Sequence, residues 1–276
     1  MFRLMVTAIA ASLCLSTASG QLIVANDQTT PAPTIWELDV TNALPNPPRS
    51  LVSGSPQGAA WGMAYDRNSS TLYWNNGGSL FKATYTPSGT LTHSLIGTLT
   101  LTTGGTFNVT GMAYNPFTNK LYGYRSVTAP GFYEIDPGTA LGFLVAATPT
   151  GTDFGGFDFD PVTNAYYVLN DGTGLSGRGL YKFANIAAPT PSLVTPYPGT
   201  ETDIDGLAVG NGRAFMVNDV PAQGIYVFNL VTNAYEPTLA SPFTGTNGIF
   251  SAAAFVPEPA TVTLTLLGLL AMRRRR

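Results

Sequence analysis

Apolar and polar positions along this chain alternate in short runs, and one run returns five times. Gly111 to Tyr124 reads GMAYNPFTNKLYGY: a stretch of small and large apolar residues, a turn, then an aromatic run. GMAYDRNSSTLYW from Gly62, GFDFDPVTNAYYVL from Gly156, GLAVGNGRAFMV from Gly206 and AAAFVP from Ala252 follow the same plan. Successive starts lie 49, 45, 50 and 46 residues apart. A fixed period of roughly 40–50 residues marks a stacked or radial repeat array. Short apolar runs separated by Asn-Pro-x-Thr-Asn or Asp-Pro-x-Thr-Asn predict β-hairpins, not helices.

Each of the middle four units holds four such runs. In the second they are Gly62 to Tyr65, Thr71 to Trp74, Ser79 to Tyr85 and Leu95 to Leu99. The third has Gly111 to Tyr114, Leu121 to Tyr124, Gly131 to Ile135 and Gly142 to Ala146. The fourth has Gly156 to Phe159, Tyr166 to Leu169, Gly179 to Phe183 and Ser192 to Thr195. The fifth has Gly206 to Val209, Ala214 to Val217, Gly224 to Phe228 and Thr238 to Ala240. Three runs precede them (Leu22 to Asn26, Thr34 to Val40, Arg49 to Ser53), and a lone first-strand copy, Ile249 to Phe255, follows.

Three strands at the start and one at the end complete a fifth unit. The expected fold class is therefore all-β, a five-bladed β-propeller over residues 22–255. Pairing of the C-terminal strand with the N-terminal blade closes it, which removes the open sheet edges that invite aggregation. A linear solenoid would carry distinct capping repeats at its ends, and none is visible. The first strand of each blade should lie innermost, with Ala64, Ala113, Ala208 and Ala254 where blades crowd the axis. Met63, Tyr65, Met112, Tyr114, Phe157 and Phe159 should fill the space between blades. Third strands share a small-aromatic alternating plan at Leu80-Phe81, Phe132-Tyr133, Leu180-Tyr181 and Ile225-Tyr226. The repeats resemble the Asn-Pro-x-Thr-Asn-x-Leu-Tyr-Val type of propeller repeat of exported and surface proteins. That resemblance implies a fold and no particular activity.

Composition fits such a fold: 44% apolar residues supply a core, and 30 Gly with 21 Pro supply many turns. The formal net charge of −3 hides an asymmetry, because Arg3 and Arg273 to Arg276 sit at the chain ends. Without these arginines and Glu258, 8 cations face 15 acids. So acidic a central region argues against nucleic acid, whose phosphates need a basic face.

Residues 1–20 read as a secretory signal peptide in a helix: Arg3 gives a basic start, Leu4 to Leu15 an apolar run, Ala18-Ser19-Gly20 a small-residue cleavage site. The one cysteine, Cys14, falls inside it. The exported chain would then have no disulfide and would hold together by packing and strand pairing alone. Residues 256–276 change character. Pro257-Glu258-Pro259, the apolar stretch Ala260 to Met272 and the cluster Arg273, Arg274, Arg275 and Arg276 stand in that order at the end. This tail resembles the PEP-CTERM sorting signal of exported bacterial proteins. The resemblance implies a short transmembrane helix, handling by an exosortase-type membrane transpeptidase, and delivery to the envelope, outer surface or extracellular matrix. Thirteen helical residues reach about 20 Å, short of the ~30 Å hydrocarbon core, which suits a transient anchor.

Candidate chemistry collects on one rim. In a propeller the loop between strands two and three and the loop entering strand one open on the same face. The first kind carries Asn26-Asp27, Asn75-Asn76, Asn170-Asp171 and Asn218-Asp219. The second carries Gln57, Asn108, Asp153, Asp203, Asp205 and Asn247. Clustered oxygens suit Ca²⁺, the one cofactor expected, or a polar ligand such as an extracellular polysaccharide. The same residue types are also what tight turns require, so both readings stand. Asp158 occupies the slot that alanine holds in the other copies. It is expected near the axis, either lining a wet channel with Asp205 or held by a structural hydrogen bond, since a buried carboxylate needs a partner.

An enzyme is the less favoured reading. His93 is the only histidine and no cysteine follows the leader, so Ser-His-Asp or Cys-His sites and histidine metal centres lack their parts. A hydrolase could draw paired carboxylates from Asp153, Asp158, Glu201, Asp203 and Asp205. The sequence points first to an exported binding or structural module.

Overall fold

The hairpin turns show how each repeat folds. Asp66 Oδ1 accepts a hydrogen bond from the Asn68 N–H at 2.8 Å, Asn115 Oδ1 from the Phe117 N–H at 3.0 Å, and Asp160 Oδ1 from the Val162 N–H at 3.1 Å. Such side-chain-to-backbone bonds reverse the chain at a fixed place. Two of the three hairpins then pass through asparagine with positive φ, Asn119 at 55° and Asn164 at 51°. Asparagine tolerates that conformation better than most residues.

A computed structural model describes residues 20–28, 35–40, 49–50, 59–87, 89–220, 223–243 and 248–257. The expected signal helix, the tail from Glu258 through Pro259 and Arg273 to Arg276, and the rim positions Gln57 and Asn247 lie outside the described residues. Among the described residues no helix is long and apolar enough to cross a membrane. The strands form five sheets. From inside outward, blade 1 is Ser251–Pro257, Gly20–Asn26, Trp36–Asp39 and Arg49–Ser50. Blade 2 is Gly62–Asp66, Thr71–Asn75, Ser79–Thr84 and His93–Thr98. Blade 3 is Gly111–Asn115, Lys120–Arg125, Gly131–Ile135 and Leu141–Ala147, with Thr100–Leu101 added in parallel at its outer edge. Blade 4 is Phe154–Asp160, Ala165–Asn170, Gly179–Phe183 and Ser192–Pro196. Blade 5 is Gly206–Gly210, Arg213–Val217, Ile225–Asn229 and Ala234–Leu239.

The chain is thus a five-bladed β-propeller. Its last strand completes the first blade through an antiparallel ladder from Gly20↔Pro257 to Asn26↔Ser251. Inner strands adjoin around the ring, blade 1 to 2, 2 to 3, 3 to 4, 4 to 5, and 5 back to 1. At their rim ends glycine lets them approach. A Cβ on Gly111 would lie 2.5 Å from the Gly155 carbonyl oxygen, and one on Gly62 3.0 Å from the Gly111 backbone.

Five apolar clusters fill the five gaps between blades. Side chains alternate along a strand, so each inner strand faces two gaps. Met112 and Tyr114 pack toward blade 2, while Ala113 packs toward blade 4. Met63 and Tyr65 against Ala64, and Phe157 and Phe159 against Asp158, repeat the scheme. The gap between blades 3 and 4 is the most aromatic: Phe132 lies 5.0 Å from Phe157 and 5.1 Å from Phe183, ring centre to ring centre. Offset and edgewise aromatic pairs add about 0.5–1.5 kcal/mol each beyond their buried area.

Four blades shift register between the third and fourth strands at these third-strand pairs: Leu80/Phe81, Phe132/Tyr133, Leu180/Tyr181 and, one residue longer, Ile225/Val227. A bulge there adds twist where the blade leaves the axis. The outer strand of blade 5 begins earlier than its sequence suggests, because Ala234–Tyr235 pair with Asn229 and Phe228 directly after the turn.

Asp158 corrects an expectation. The alanine slot faces the gap to the next blade, not the axis, so Asp158 lies between blades 4 and 5 and lines no channel. Its Oδ2 accepts the Val209 N–H of blade 5 at 2.6 Å, and Oδ1 accepts its own blade's Phe159 N–H at 2.8 Å. It is a latch, and no part of the rim. Burial raises its pKa from 3.8 to about 7 against the pull of those two donors. A raised folded-state pKa means the latch contributes its full stability below about pH 4 and loses it as pH climbs toward 7. Urea unfolding should therefore show Asp158→Ala about 1–3 kcal/mol less stable than the native chain in acid, with the deficit shrinking as pH rises through 7. In the same assay Gly111→Ala should cost about 1–3 kcal/mol at every pH, because the clash is with backbone.

Candidate functional site

The two kinds of rim loop meet in every blade. The Asp27 N–H donates to the Phe250 carbonyl at 3.0 Å, Trp61 to Asn75 at 2.9 Å, Thr110 to Tyr124 at 2.9 Å, and Asp171 to Asp153 at 2.8 Å, while in blade 5 Asn218 Nδ2 donates to the Asp203 carbonyl at 3.1 Å. The rim asparagines serve the turns themselves. Asn75 Oδ1 accepts the Gly77 N–H at 2.8 Å, Asn218 Oδ1 the Val220 N–H at 2.7 Å, and Asn170 Nδ2 donates to the Gly172 and Gly177 carbonyls at 2.9 Å. For these amides the turn-forming role accounts for the residue.

The carboxylates behave differently: they gather in one sector, over blades 4 and 5 and the junction with blade 1. Asp171, from the loop after Ala165–Asn170, and Asp203 and Asp205, from the loop entering blade 5, bring carboxylate oxygens within 4.8 Å of one another. Asp153, on the loop entering blade 4, acts electrostatically on all three. Asp219 adds its field to Asp205, and Asp27 acts on Asp219. Six of the seven expected acids are thus neighbours on the rim, and Asp158 is the exception.

Each acid is held in its own way. Asp171 Oδ1 accepts the Tyr197 hydroxyl at 2.7 Å and the Ile204 N–H at 3.1 Å. Asp27 Oδ1 accepts the Ile249 N–H at 2.9 Å, which ties blade 1 to the closing strand. Asp203 is exposed. Asp205 is only 7% exposed, and none of the hydrogen bonds among the described residues ends on its carboxylate. Burial, then the charges of Asp171 and Asp203, push Asp205 up to about 9. Burial likewise lifts Asp171 to about 8 against its two donors, and Asp219 to about 6. Asp203 is raised by burial and by Asp153, with Arg178 opposing. These groups titrate as one coupled set.

The sequence reading left several rim residues out. Glu201 Oε2 accepts Asn218 Nδ2 and the Tyr226 hydroxyl, both at 3.2 Å, and so stands on the rim. The signal was there: Glu201, Asp203 and Asp205 stand two residues apart. Arg178 Nε donates to the Asp171 carbonyl at 2.7 Å. Trp61 and Phe250 stack with ring centres 4.2 Å apart beside the axis. Neither had a sequence pattern to mark it. The top of the axis, lined by Gly62, Gly111, Gly156, Asp205 and Ser251, has no space for a water molecule. His93 packs edgewise on Trp74 and Phe81 in the outer half of blade 2.

No protein-family model matches this chain, and no curated protein sequence does. Solved structures do resemble it. A chain in the crystal structure of a nidogen/laminin complex matches with a TM-score of 0.56 and 10% identity, over 86% of this chain and 98% of that one. A structural genomics protein of unknown function from Bacteroides thetaiotaomicron VPI-5482 matches with a TM-score of 0.52 and 11% identity, over 87% of this chain. This chain spans 62% of that one. Identities this low speak to the fold alone.

Crowded carboxylates destabilise the metal-free protein where they ionise. Raised pKa values mean that the cluster costs nothing below about pH 4 and costs most above about pH 9. Thermal scans in chelator should show the midpoint falling as pH rises across that range. Asp205→Asn should flatten the fall and raise the midpoint at about pH 8 by a few degrees, the size of shift that roughly 1 kcal/mol makes in a domain this large.

Proposed function

We propose that this chain is an exported β-propeller that uses its acidic rim to bind a polar ligand, such as an extracellular polysaccharide, in the envelope or matrix. The convergence of Asp153, Asp171, Asp203, Asp205 and Asp219 over one sector carries the reading, with the Trp61–Phe250 stack at the same mouth. Carboxylates that accept hydroxyl protons, on the same face as an aromatic pair, form the lining that polar ligands with apolar ring faces use.

The ladder adds an orientation. Asn26 and Ser251 pair at the rim end of blade 1, and Gly20 and Pro257 pair at the opposite end. Both the leader and the tail therefore join the ring on the face away from the acids. A tail inserted in a membrane would leave the rim pointing outward. We take residues 1–20 as the leader and residues 256–276 as the PEP-CTERM segment, sorted by an exosortase-type transpeptidase through Pro257-Glu258-Pro259 and the terminal arginines. Sorting need not break the ring, since the ladder ends at Pro257.

The hydrolase alternative gains less support. Three carboxylates within 4.8 Å stand closer than the about 5–5.5 Å of retaining pairs or about 6.5–9.5 Å of inverting pairs.

Mass spectrometry of protein recovered from cells should find an N-terminus at residue 19, 20 or 21 and a C-terminus lacking Arg273 to Arg276. An intact chain at both ends would defeat the export and sorting reading. Affinity electrophoresis in soluble polysaccharides should retard the native chain more than a Trp61→Ala variant. Equal mobility of both across a polymer panel would remove the ligand reading, and release of reducing sugar would replace it with the hydrolase.

A further inference from the structure

We propose that Asp171, Asp203 and Asp205 hold a single Ca²⁺ ion on the rim, an inference that rests on reading this sector as a binding surface and names the ion it takes. An acidic cluster alone would not carry this. The second observation is Asp205, which is 7% exposed, accepts no hydrogen bond among the described residues, and turns its carboxylate into the cluster. A buried charge without donors needs a cation or loses its charge. The nearest cation, Arg178, spends its Nε on the Asp171 carbonyl.

Geometry selects the ion. The donor set is all oxygen, which suits hard cations. Ligands on opposite sides of Ca²⁺, at about 2.3–2.6 Å each, stand about 4.6–5.2 Å apart, whereas around Mg²⁺ at about 2.0–2.1 Å they stand no more than about 4.2 Å apart. The three oxygens all lie within 4.8 Å of one another, inside the span of a calcium shell, and Mg²⁺ is disfavoured because it sheds its water reluctantly. Tyr197 and the Ile204 N–H fix Asp171 through Oδ1, which leaves Oδ2 for the ion. Asp203 is exposed and provides the way in from solvent. Asp153 lies near enough to act on all three and adds a fourth negative charge beside the ion. Water completes the coordination shell. The ion bridges blades 4 and 5 at the rim, on the gap that the Asp158 latch spans lower down.

The test is calorimetry on the full chain, stripped with chelator and titrated with CaCl₂ alone and MgCl₂ alone, with thermal scans in parallel. The expected result is one Ca²⁺ per chain with a dissociation constant of roughly 10⁻³ M or tighter, the range of extracellular calcium modules. Mg²⁺ should bind at least about tenfold more weakly. Asp205→Asn should weaken Ca²⁺ by at least about tenfold while its midpoint in chelator stays at or above the native value, which shows that it folds. Asp136→Asn, in the hairpin between the outer strands of blade 3 and away from the rim, should keep native affinity. No calcium heat and no midpoint shift at about 10⁻² M, ten times the weakest such module, overturns the site. So does magnesium binding as tightly as calcium, or Asp205→Asn binding like the native chain. Polysaccharide retardation in chelator without calcium binding would sink the ion and keep the rim. Calcium binding without retardation would keep the ion and sink the polymer ligand.

Discussion

Seven residue pairs between Gly20–Asn26 and Ser251–Pro257 hold the ring shut, six of them once residues 1–20 are removed, and the other parts of the molecule depend on that ladder. The exported chain as we read it has no disulfide to replace it, since Cys14 is the only cysteine. Each blade buries one face of its inner strand against the blade before and the other against the blade after. An unpaired terminal strand would leave Ala252, Ala254 and Val256 without Met63 and Trp74 on one side, and Phe255 without Phe215 on the other. Closure therefore completes two of the five apolar clusters at once. It also brings Asp27 beside Ile249, which ties the first rim loop to the last.

Crowding at the axis sets what the rim can be. Glycines at the start of the inner strands let backbones touch, so the mouth admits no water and the polar side chains of this face stand on the loops around it. Four of those loops come from blades 4 and 5, where Asp153, Asp171, Asp203, Asp205 and Asp219 share one field. Lower in the same gap Asp158 replaces an alanine and fastens the two blades through the Val209 N–H. Blades 4 and 5 thus add hydrogen bonds to the apolar cluster between them, whereas the gap between blades 3 and 4 is packed with aromatic rings. An ion shared by the two blades would tighten the junction that ionisation otherwise strains.

The repeats made the ring legible in the sequence because strand period, turn chemistry and spacing are local signals. Gly-Met-Ala-Tyr followed by Asn-Pro-x-Thr-Asn states a hairpin wherever it stands. Three strands at one end and one at the other state the closure by their count. Which acids converge was less legible. Asp158 looked axial because alanines suit a crowded axis, yet the alternation of its strand turns it into a gap. Asn75, Asn170 and Asn218 looked like ligands, but their amides are consumed by the turns they make. Convergence of Asp171 with Asp203 and Asp205 joins loops some 30 residues apart, and only the curvature of the sheet brings them together. The Trp61–Phe250 stack joins residues far apart in the chain and left no local trace.

Ring closure is tested most directly by a covalent bond across it. Val24 and Ala253 stand opposite one another in the ladder, and cysteine is close to both in size. In a full chain with Cys14→Ser, Val24→Cys and Ala253→Cys, the two introduced thiols are the only ones present. Mild oxidation should form one intramolecular disulfide, seen as two protons lost by mass and a faster band on a non-reducing gel, with the native fold retained. Thiols that stay free in the folded protein, or that join only between molecules, would contradict the closed ring.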